Sequence, residues 1–417
     1  MRGFPRAVRG GVATGRWTEL RVMTESPRSI QALVGRFDPS VFDAPGKRTT
    51  RIRLVVADRD ARDVVVADGS ATVATAEGAP DAVLRADPET WRRLADDYRG
   101  GMNAFQLGRL SIRRNLHVGV GFLAATSGST EPGRLRFYTV PTTRARISIM
   151  EAGAGPSVVA LHGLGGTKGS FLPTIAALAD RFRVIAADLP GFGDSDKPIG
   201  ARYDARFFAD AVTDLLDELG LDRVHLIGNS LGGRIALEIA LRRPDRVARL
   251  ALLAPSLAWR RERPWTPLLH LTRPELALVQ LAPRGLVTAI VHRLIPGADE
   301  GWAAAGVDEF LRAYLTPAGR AAFYAAARQI YLEQPHGENG FWPRLKTLQP
   351  DALFVWGLRD RVVPIAFARH VTDALPRAQH LELDCGHVPQ VERPRQTHAA
   401  VGGFLAHTGV AASDRHR

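Results

Sequence analysis

The sequence is poor in cysteine, and it has no long apolar run. A single cysteine, Cys385, among 417 residues excludes an internal disulfide framework and a zinc site built on several cysteines. No stretch approaches the roughly 20 uninterrupted apolar residues that a membrane-spanning helix needs. Nothing in the composition requires an oxidising compartment, so we expect a cytoplasmic protein with at most peripheral membrane contact.

Lysine is also scarce, and the positive charge comes almost entirely from arginine. The chain has 55 basic and 43 acidic residues, which gives a net charge of +12, and only four of the basic residues are lysines. The arginines are scattered along the chain, whereas nucleic-acid binding typically requires a basic stripe. We therefore expect no nucleic-acid partner.

The length and a change of composition predict two domains. A chain of 417 residues exceeds the roughly 250 to 300 residues at which single cores stop growing. Ser, Thr, Gly and Pro are concentrated ahead of residue 142 and predict a linker over residues 126–142. Residues 1–26 lack the apolar run of a secretory signal and predict a flexible extension, or a true start at Met23. Residues 411–417 are expected to form a tail.

Residues 27–125 alternate strand and helix patterns. The segments TRIRLVVADRD and RDVVVADGSATVAT predict a hairpin or meander, and DAVLRA predicts a further strand. Asp87 stands where it would cap a helix that carries Trp91 and Leu94 on one face. A short apolar helix, a glycine break at Gly108 and a closing strand complete the pattern.

The segments LRADPETWRRLAD and MNAFQLGRLSIRRNL, in that order, resemble the sterol carrier protein type 2 (SCP-like) family over residues 27–125. The resemblance implies an α+β lipid-binding domain with an apolar tunnel for a fatty acyl or sterol ligand. It implies that Met102, Phe105, Leu110 and Leu116 line that tunnel. The alternative is that these four residues form a plain hydrophobic core.

From residue 143 to 410 the pattern changes to short apolar runs separated by helical stretches. These runs predict strands that are buried on both faces, as in a parallel sheet. They lie at residues 157–161, 182–187, 223–227, 249–253, 352–356 and 380–383. Residues 258–349, here called the insertion, show only helical patterns. We expect the insertion to form a helical lid over the carboxyl edge of the sheet, where open α/β folds bind their ligands.

A nucleophile motif stands between a predicted strand and a predicted helix. Residues Gly228, Asn229, Ser230, Leu231 and Gly232 fit the pattern G-x-S-x-G, in which a tight turn projects the serine hydroxyl. Glycine on either side allows the backbone to approach closely. The five letters alone are weak evidence, but the preceding strand and the following helix indicate that Ser230 is a nucleophile.

A serine hydroxyl needs a base to take its proton and an acid to orient that base. Asp360 follows the strand predicted at 352–356, and His387 follows the strand predicted at 380–383. Because the carboxyl ends of parallel strands meet at one edge of a sheet, both side chains should lie near Ser230. We therefore predict that Ser230, Asp360 and His387 are a catalytic triad.

Two backbone amides should stabilise the oxyanion that forms when the serine attacks a carbonyl. One is the amide of Leu231, which follows the nucleophile. The other should come from the glycine-rich loop LHGLGGTKGSF after the first buried strand. We assign it to Leu164, with Gly165 as the alternative.

Together with DLPGFGDSDKP at 188–198, these motifs resemble the α/β-hydrolase superfamily over residues 143–407. The resemblance implies a mostly parallel sheet with helices on both faces, and acyl transfer to water. The GNSLGG motif at residues 228–233 and the CGHxxQxE run from Cys385 to Glu392 also resemble hydrolases that cleave carbon–carbon bonds in ring-opened aromatic acids. Against that alternative, the loop HGLGGT departs from their HGSGPG type, and Val388 replaces their usual tryptophan.

We predict a cofactor-independent serine hydrolase, without a metal, that cleaves a carboxylic ester or thioester with an apolar acyl group. The appended domain would bind a fatty acyl or sterol ligand. Two alternatives stay open: a carbon–carbon bond hydrolase acting on ring-cleavage products, and a non-catalytic lipid carrier.

Overall fold

The computed structural model of the chain describes residues 30–407, apart from 45–46, 57–59, 95–103, 105–106, 128–133, 260–270, 272, 282 and 295–300. The predicted extension over 1–26 and the predicted tail over 411–417 lie outside the described residues. Within the described part of the chain, no helix is both long and apolar enough to cross a bilayer.

The first sheet has five strands in the order β3-β2-β1-β4-β5. The strands are β1 (Thr49–Val56), β2 (Asp60–Ala67), β3 (Ser70–Thr75), β4 (Ala82–Ala86) and β5 (Leu110–Arg113). Strands β1, β2 and β3 form the predicted antiparallel meander, and β4 joins β1 in parallel. Helix α1 (Pro88–Leu94) follows β4, and the Asp87 carboxylate accepts the Thr90 amide at 2.8 Å as its cap.

A buried helix, α2 (Leu116–Thr126), follows β5, so the prediction of a closing strand as the last element of this region is only partly right. Asn115 caps α2 by accepting the amide of Val118 at 3.0 Å. All eleven residues of α2 are buried. A helix that is apolar on every side shows no 3.6-residue period, and its alternating segment HVGVGF imitates a strand pattern.

The second sheet has eight strands in the order β13-β12-β11-β10-β8-β9-β7-β6. The strands are β6 (Arg136–Pro141), β7 (Arg146–Ala152), β8 (Ser157–Leu161), β9 (Arg183–Ala187), β10 (Val224–Asn229), β11 (Val247–Leu253), β12 (Asp351–Gly357) and β13 (Gln379–Leu383). All six predicted strands are present. They lie side by side in the order β9, β8, β10, β11, β12 and β13, and each neighbouring pair is parallel. Their carboxyl ends therefore share one edge.

Strands β6 and β7 form an antiparallel hairpin at the other end of this sheet. Strand β6 falls inside residues 126–142, which the sequence predicts to be an irregular linker. The prediction is wrong for residues 136–141, because an edge strand needs only one apolar face and tolerates the Thr and Pro that also mark loops. Residue 126 is likewise the last residue of α2.

Helices cover the second sheet and build the insertion. Those outside the insertion are α3 (Leu172–Leu178), α4 (Ala205–Glu218), α5 (Leu231–Arg242), α10 (Ala366–Ala374), α11 (Pro389–Glu392) and α12 (Pro394–Ala406). Those inside it are α6 (Arg284–Leu294), α7 (Gly301–Tyr314), α8 (Pro317–Leu332) and α9 (Phe341–Leu345), after a 3-10 turn over Pro274–Leu278. The described part of the insertion is helical, as predicted.

The hydrophobic core is continuous between the two sheets. One cluster of buried side chains contains Leu84 and Ile112 of the first sheet, Phe122 of α2, Val184 of β9 in the second sheet, and Phe171 just before α3. Helix α2 thus packs between the two sheets. The described residues up to 126, here called the N-terminal segment, therefore share this cluster with the rest of the chain, whereas a second cluster of buried side chains is formed only by residues between 140 and 375.

Candidate active site

Ser230 lies in a strained turn between β10 and α5. Its φ is +52°, a region that residues other than glycine rarely adopt. The backbone is held by Ser230 N donating to Leu253 O at 3.0 Å and by Ser256 N donating to Ser230 O at 2.9 Å. A Cβ at Gly232 would overlap the carbonyl oxygen of Leu161 on β8, so only glycine allows this approach.

Asp360 and His387 are in direct contact at the carboxyl ends of β12 and β13. His387 Nδ1 and Asp360 Oδ2 are 2.7 Å apart. The other carboxylate oxygen, Oδ1, accepts the amides of Val362 at 2.7 Å and Val363 at 2.9 Å. The Asp360 side chain has no exposed surface. Because Asp360 occupies Nδ1, the Nε2 atom of His387 is the ring nitrogen left for proton transfer.

Two further side chains hold the loop that carries His387. Asn229, next to Ser230, donates Nδ2 to the carbonyl oxygen of His387 at 3.0 Å. The Glu392 carboxylate accepts the amides of Gly386 at 2.6 Å and Val388 at 3.0 Å. Neither residue is predicted from the sequence to have a role. Their positions inside the GNSLG and CGHxxQxE motifs were the only available signal.

The loop after β8 forms a tight turn against Ser230, here called the oxyanion turn (residues 163–166) because it contains the predicted donor Leu164. Gly166 N donates to Gly163 O at 3.0 Å, and Gly165 has a φ of +73°, which is typical of a type II turn. Leu164 is the first central residue, so its amide takes no part in the bond that closes the turn. A Cβ at Gly163 would lie only 3.1 Å from Ser230 Cβ.

Leu231 is the first residue of α5, which places its amide at a helix N-terminus. The first amides of a helix have no carbonyl partner inside that helix. The N-terminal end of the helix dipole also favours negative charge. Both predicted oxyanion donors therefore belong to backbone segments that adjoin Ser230.

A cavity of about 350 Å³ connects the predicted residues. Ser230, His387 and Leu164 line the cavity. Asp360 is not among the lining residues but contacts His387, which is. The other described lining residues are Gly163, Gly166, Ser170, Asn229, Ser256, Leu257, Trp259, Ile330, Tyr331, Val362, Val363, Phe367 and Val388. None of these described residues is Asp, Glu, Lys or Arg. Leu231 lines an adjoining, more polar cavity of about 510 Å³.

Cys385, two residues from His387, is fully buried. Burial raises the pKa of its thiol to about 11. A protonated, buried thiol is a poor nucleophile near neutral pH. Ser230 is thus the better candidate in this part of the molecule.

The residues expected to line a lipid tunnel are only partly described. Met102 and Phe105 lie outside the described residues. Leu110 and Leu116 are buried at 2% and 5% exposure, and both belong to the core shared by the two sheets. Their position agrees with the plain-core alternative and does not by itself indicate a ligand.

The comparison with family models bears on more than half of the chain. A model described as alpha/beta hydrolase fold matches residues 156–394. That range contains the turn at Ser230, the Asp360–His387 pair and the oxyanion turn.

Individual relatives cover the same region. A 2-hydroxy-6-oxononadienedioate/2-hydroxy-6-oxononatrienedioate hydrolase of Cupriavidus pinatubonensis is 31% identical over 297 residues, which are 66% of this chain and 96% of that protein. A 2-hydroxymuconate semialdehyde hydrolase of a Pseudomonas species is 29% identical over 284 residues, with 64% and 93% covered. The crystal structure of a hydrolase from Pseudomonas aeruginosa matches with a TM-score of 0.54 at 25% identity, over 66% of this chain and all of that one.

Proposed function

The chain belongs to the alpha/beta hydrolase family, and from that premise we propose that it is a cofactor-independent serine hydrolase with Ser230 as nucleophile, His387 as base and Asp360 as the residue that orients His387. The observation that carries the proposal is the 2.7 Å contact between Asp360 and His387 beside a strained Ser230 in one cavity.

In the proposed reaction, Ser230 Oγ attacks the substrate carbonyl carbon while His387 Nε2 takes the hydroxyl proton. The bond to the leaving alcohol or thiol then breaks, and that group takes the proton from His387. A water molecule attacks the acyl-serine, its proton passes to His387, and the acid leaves as Ser230 regains a proton. Asp360 holds Nδ1 throughout and stabilises the imidazolium.

The proposed oxyanion donors are the amides of Leu164 and Leu231. Each such donor is typically worth about 3 to 4 kcal/mol in the transition state. The type II turn and the helix N-terminus support this assignment, because both fix an amide beside Ser230 before substrate binds.

We propose a neutral, apolar acyl group as the preferred substrate, in a carboxylic ester or thioester. The described lining of the catalytic cavity is mainly aliphatic and aromatic, and it contains no Lys or Arg. A substrate carboxylate packed against these described residues would lose its hydration without gaining a cationic partner among them, which is unfavourable. An ester of a simple apolar acid avoids that cost.

Carbon–carbon bond hydrolysis is the second candidate. It is favoured by the names of two relatives, a nonadienedioate/nonatrienedioate hydrolase and a muconate semialdehyde hydrolase. The cavity lining and the HGLGGT loop favour ester cleavage instead.

A panel of p-nitrophenyl esters of increasing chain length, assayed beside a 2-hydroxy-6-oxo-dienoate, tests the two candidates. We expect kcat/KM for the esters to exceed that for the dienoate by at least about tenfold, or about 1.4 kcal/mol. The reverse order would establish the second candidate. Absence of turnover with both substrate classes would contradict the proposal of an enzyme acting on either bond.

Binding of an acyl chain or sterol by residues 27–125 also stays a proposal. It is tested with the full chain carrying Ser230→Ala, titrated with a fluorescent fatty acid after the catalytic cavity is blocked with a tight-binding ester analogue. Saturable uptake with a Kd near 1 μM, roughly 8 kcal/mol, would support a second site. No uptake would contradict it.

A further inference from the structure

A buried group of charged side chains lies directly behind the oxyanion turn. Lys168, on the same loop, donates Nζ to Asp188 at 2.6 Å and to Asp194 at 3.2 Å. Arg312 of α7 donates to Asp194 at 2.6 Å and to Glu309 at 2.8 Å. Lys168, Asp188 and Glu309 are each at most 3% exposed. The loop is therefore tied through Asp194 and Arg312 to the insertion.

Helix α2 of the N-terminal segment completes this group. Glu309 Oε1 accepts the amide of Leu116 at 2.7 Å, at the N-terminus of α2, where the helix dipole favours an anion. His117 adds no cation, because burial lowers its pKa to about 4.

A second contact joins the same two elements. Asp308 accepts Arg113 Nε at 2.7 Å and the amide of Arg114 at 2.8 Å. Arg113 is the last residue of β5, and Arg114 begins the connection from β5 to α2. Two consecutive acidic residues of α7 thus bind the N-terminal segment.

The next residue of α7 contacts the oxyanion turn itself. A Cβ at Gly165 would lie 2.9 Å from the ring of Phe310, so that ring rests directly on the turn. Tyr314 stacks on the ring with centroids 5.0 Å apart, and Phe323 meets its edge at 5.6 Å. Three consecutive residues of α7, 308 to 310, therefore contact both the N-terminal segment and the oxyanion turn.

We propose that the N-terminal segment positions the oxyanion turn through α7, and that Glu309 is a positioning residue for the oxyanion hole. The inference rests on the proposed function, in which the Leu164 amide is an oxyanion donor. Without its carboxylate, the amide of Leu116 and the guanidinium of Arg312 lose a buried partner, which is costly. Helix α7 would then shift, and Phe310 would no longer hold Gly165 in place.

The test compares Glu309→Ala and Glu309→Gln in the full chain, with the exposed Glu275→Ala on the insertion as the matched control. A misplaced oxyanion donor weakens the binding of the tetrahedral transition state and leaves the binding of the ground-state substrate unchanged. We expect Glu309→Ala to lower kcat by about tenfold or more, where kcat is calculated from the concentration of titrated active sites. The Ki of a trifluoromethyl ketone analogue should rise by a similar factor. KM should change less than about twofold. Glu309→Gln keeps an acceptor for the Leu116 amide and should fall between Glu309→Ala and the wild type.

A measurement that needs no turnover accompanies the kinetics. Hydrogen exchange of the amides at 163–166 should be faster in Glu309→Ala than in the wild type and in Glu275→Ala. If Glu309→Ala does not fold, Phe310→Leu, which keeps the charged group intact, takes its place with the same expected results.

Wild-type kcat, Ki and exchange in a folded variant would overturn the positioning role while leaving the proposed function intact. A wild-type chain without ester turnover or inhibition would overturn the proposed function instead. In that case the hydrogen-exchange experiment alone decides whether Glu309 positions the oxyanion turn. Equal exchange rates at 163–166 in Glu309→Ala and the wild type would contradict that role.

Discussion

At the scale of single residues, the Asp360 carboxylate has two different duties. One oxygen accepts two backbone amides of its own loop, and the other contacts His387 Nδ1 at 2.7 Å. The loop bonds fix the carboxylate, and the carboxylate fixes the ring. Asp384, only three residues from His387, is a carboxylate of a different kind, because it is 64% exposed and pairs with Arg359.

Asp360→Asn should keep the chain folded but lower kcat by on the order of 10³ to 10⁴, because an amide favours the wrong imidazole tautomer. Steady-state hydrolysis of a p-nitrophenyl ester, with circular dichroism as a check of folding, measures this. Asp384→Asn is the matched control and should have near-wild-type rates. A larger loss in Asp384→Asn than in Asp360→Asn would mean that the wrong carboxylate has been assigned.

His398 makes the stability of the fold sensitive to acid. Burial lowers its pKa from 6.5 to about 4, and Thr174 Oγ1 lies 2.9 Å from its Nε2. Below pH 6.5 the His398 side chain binds a proton in the unfolded chain, whereas in the folded chain it stays neutral down to about pH 4. The free energy of unfolding therefore falls as the pH drops from 6.5 to 4, by at most about 3 kcal/mol from this residue.

Urea titrations between pH 4 and 7 measure that dependence. His398→Gln removes one of the histidines that titrate in this window and should lessen the pH dependence of the unfolding midpoint, to which His117, with a pKa also lowered to about 4, still contributes. An unchanged slope in the variant would show that His398 is not held neutral in the folded chain.

At the scale of elements, the junction of β10, α5 and β8 depends on the absence of a side chain at Gly232. A Cβ there would overlap the Leu161 carbonyl oxygen. Gly403 in α12 is a matched control, because a Cβ at that position meets no heavy atom within 4 Å.

Gly232→Ala should lower both the free energy of unfolding and ester turnover, since the backbone must move to admit a methyl group. Gly403→Ala should leave turnover unchanged and stabilise the helix by up to about 1 kcal/mol. Thermal unfolding and ester hydrolysis of the two variants provide the comparison. Equal behaviour of the two would refute the close approach.

At this scale, the sequence could predict features that depend on residues close together in the chain, but not features that depend on distant ones. The strand ends that carry Ser230, Asp360 and His387 are marked by local apolar runs and by motif letters next to them, so the placement of these residues at one edge of the sheet was predictable. Helix α2 was not, because full burial removes the helical period. The contact of Leu116 with Glu309 joins residues 193 positions apart. No local pattern carries such a pairing.

At the scale of the whole molecule, the shared core makes the two sheets one cooperative structure. Phe122 of α2 has no exposed surface and belongs to the cluster that contains side chains of both sheets. Stability of the catalytic region should therefore depend on packing in the N-terminal segment. This dependence would not exist between two domains joined only by a linker.

Phe122→Ala should lower the free energy of unfolding by about 3 to 5 kcal/mol, through lost burial and a cavity. We expect a single urea transition, with loss of ester turnover at the same shifted midpoint as loss of fluorescence. Val73→Ala on the exposed side of β3 is the control and should shift the midpoint little. Two separate transitions, with turnover lost at the wild-type midpoint, would refute a shared core.

The central claim is that Ser230 carries the acyl group, and mass spectrometry of the trapped enzyme tests it most directly. The chain is mixed with an activated p-nitrophenyl ester, quenched in acid within milliseconds and digested. We expect the acyl mass on the peptide that contains Ser230, its loss in Ser230→Ala together with nearly all turnover, and its retention in Ser170→Ala, a serine of the same cavity. An adduct on another residue, or turnover by Ser230→Ala within about tenfold of the wild type, a difference of about 1.4 kcal/mol, would contradict the claim.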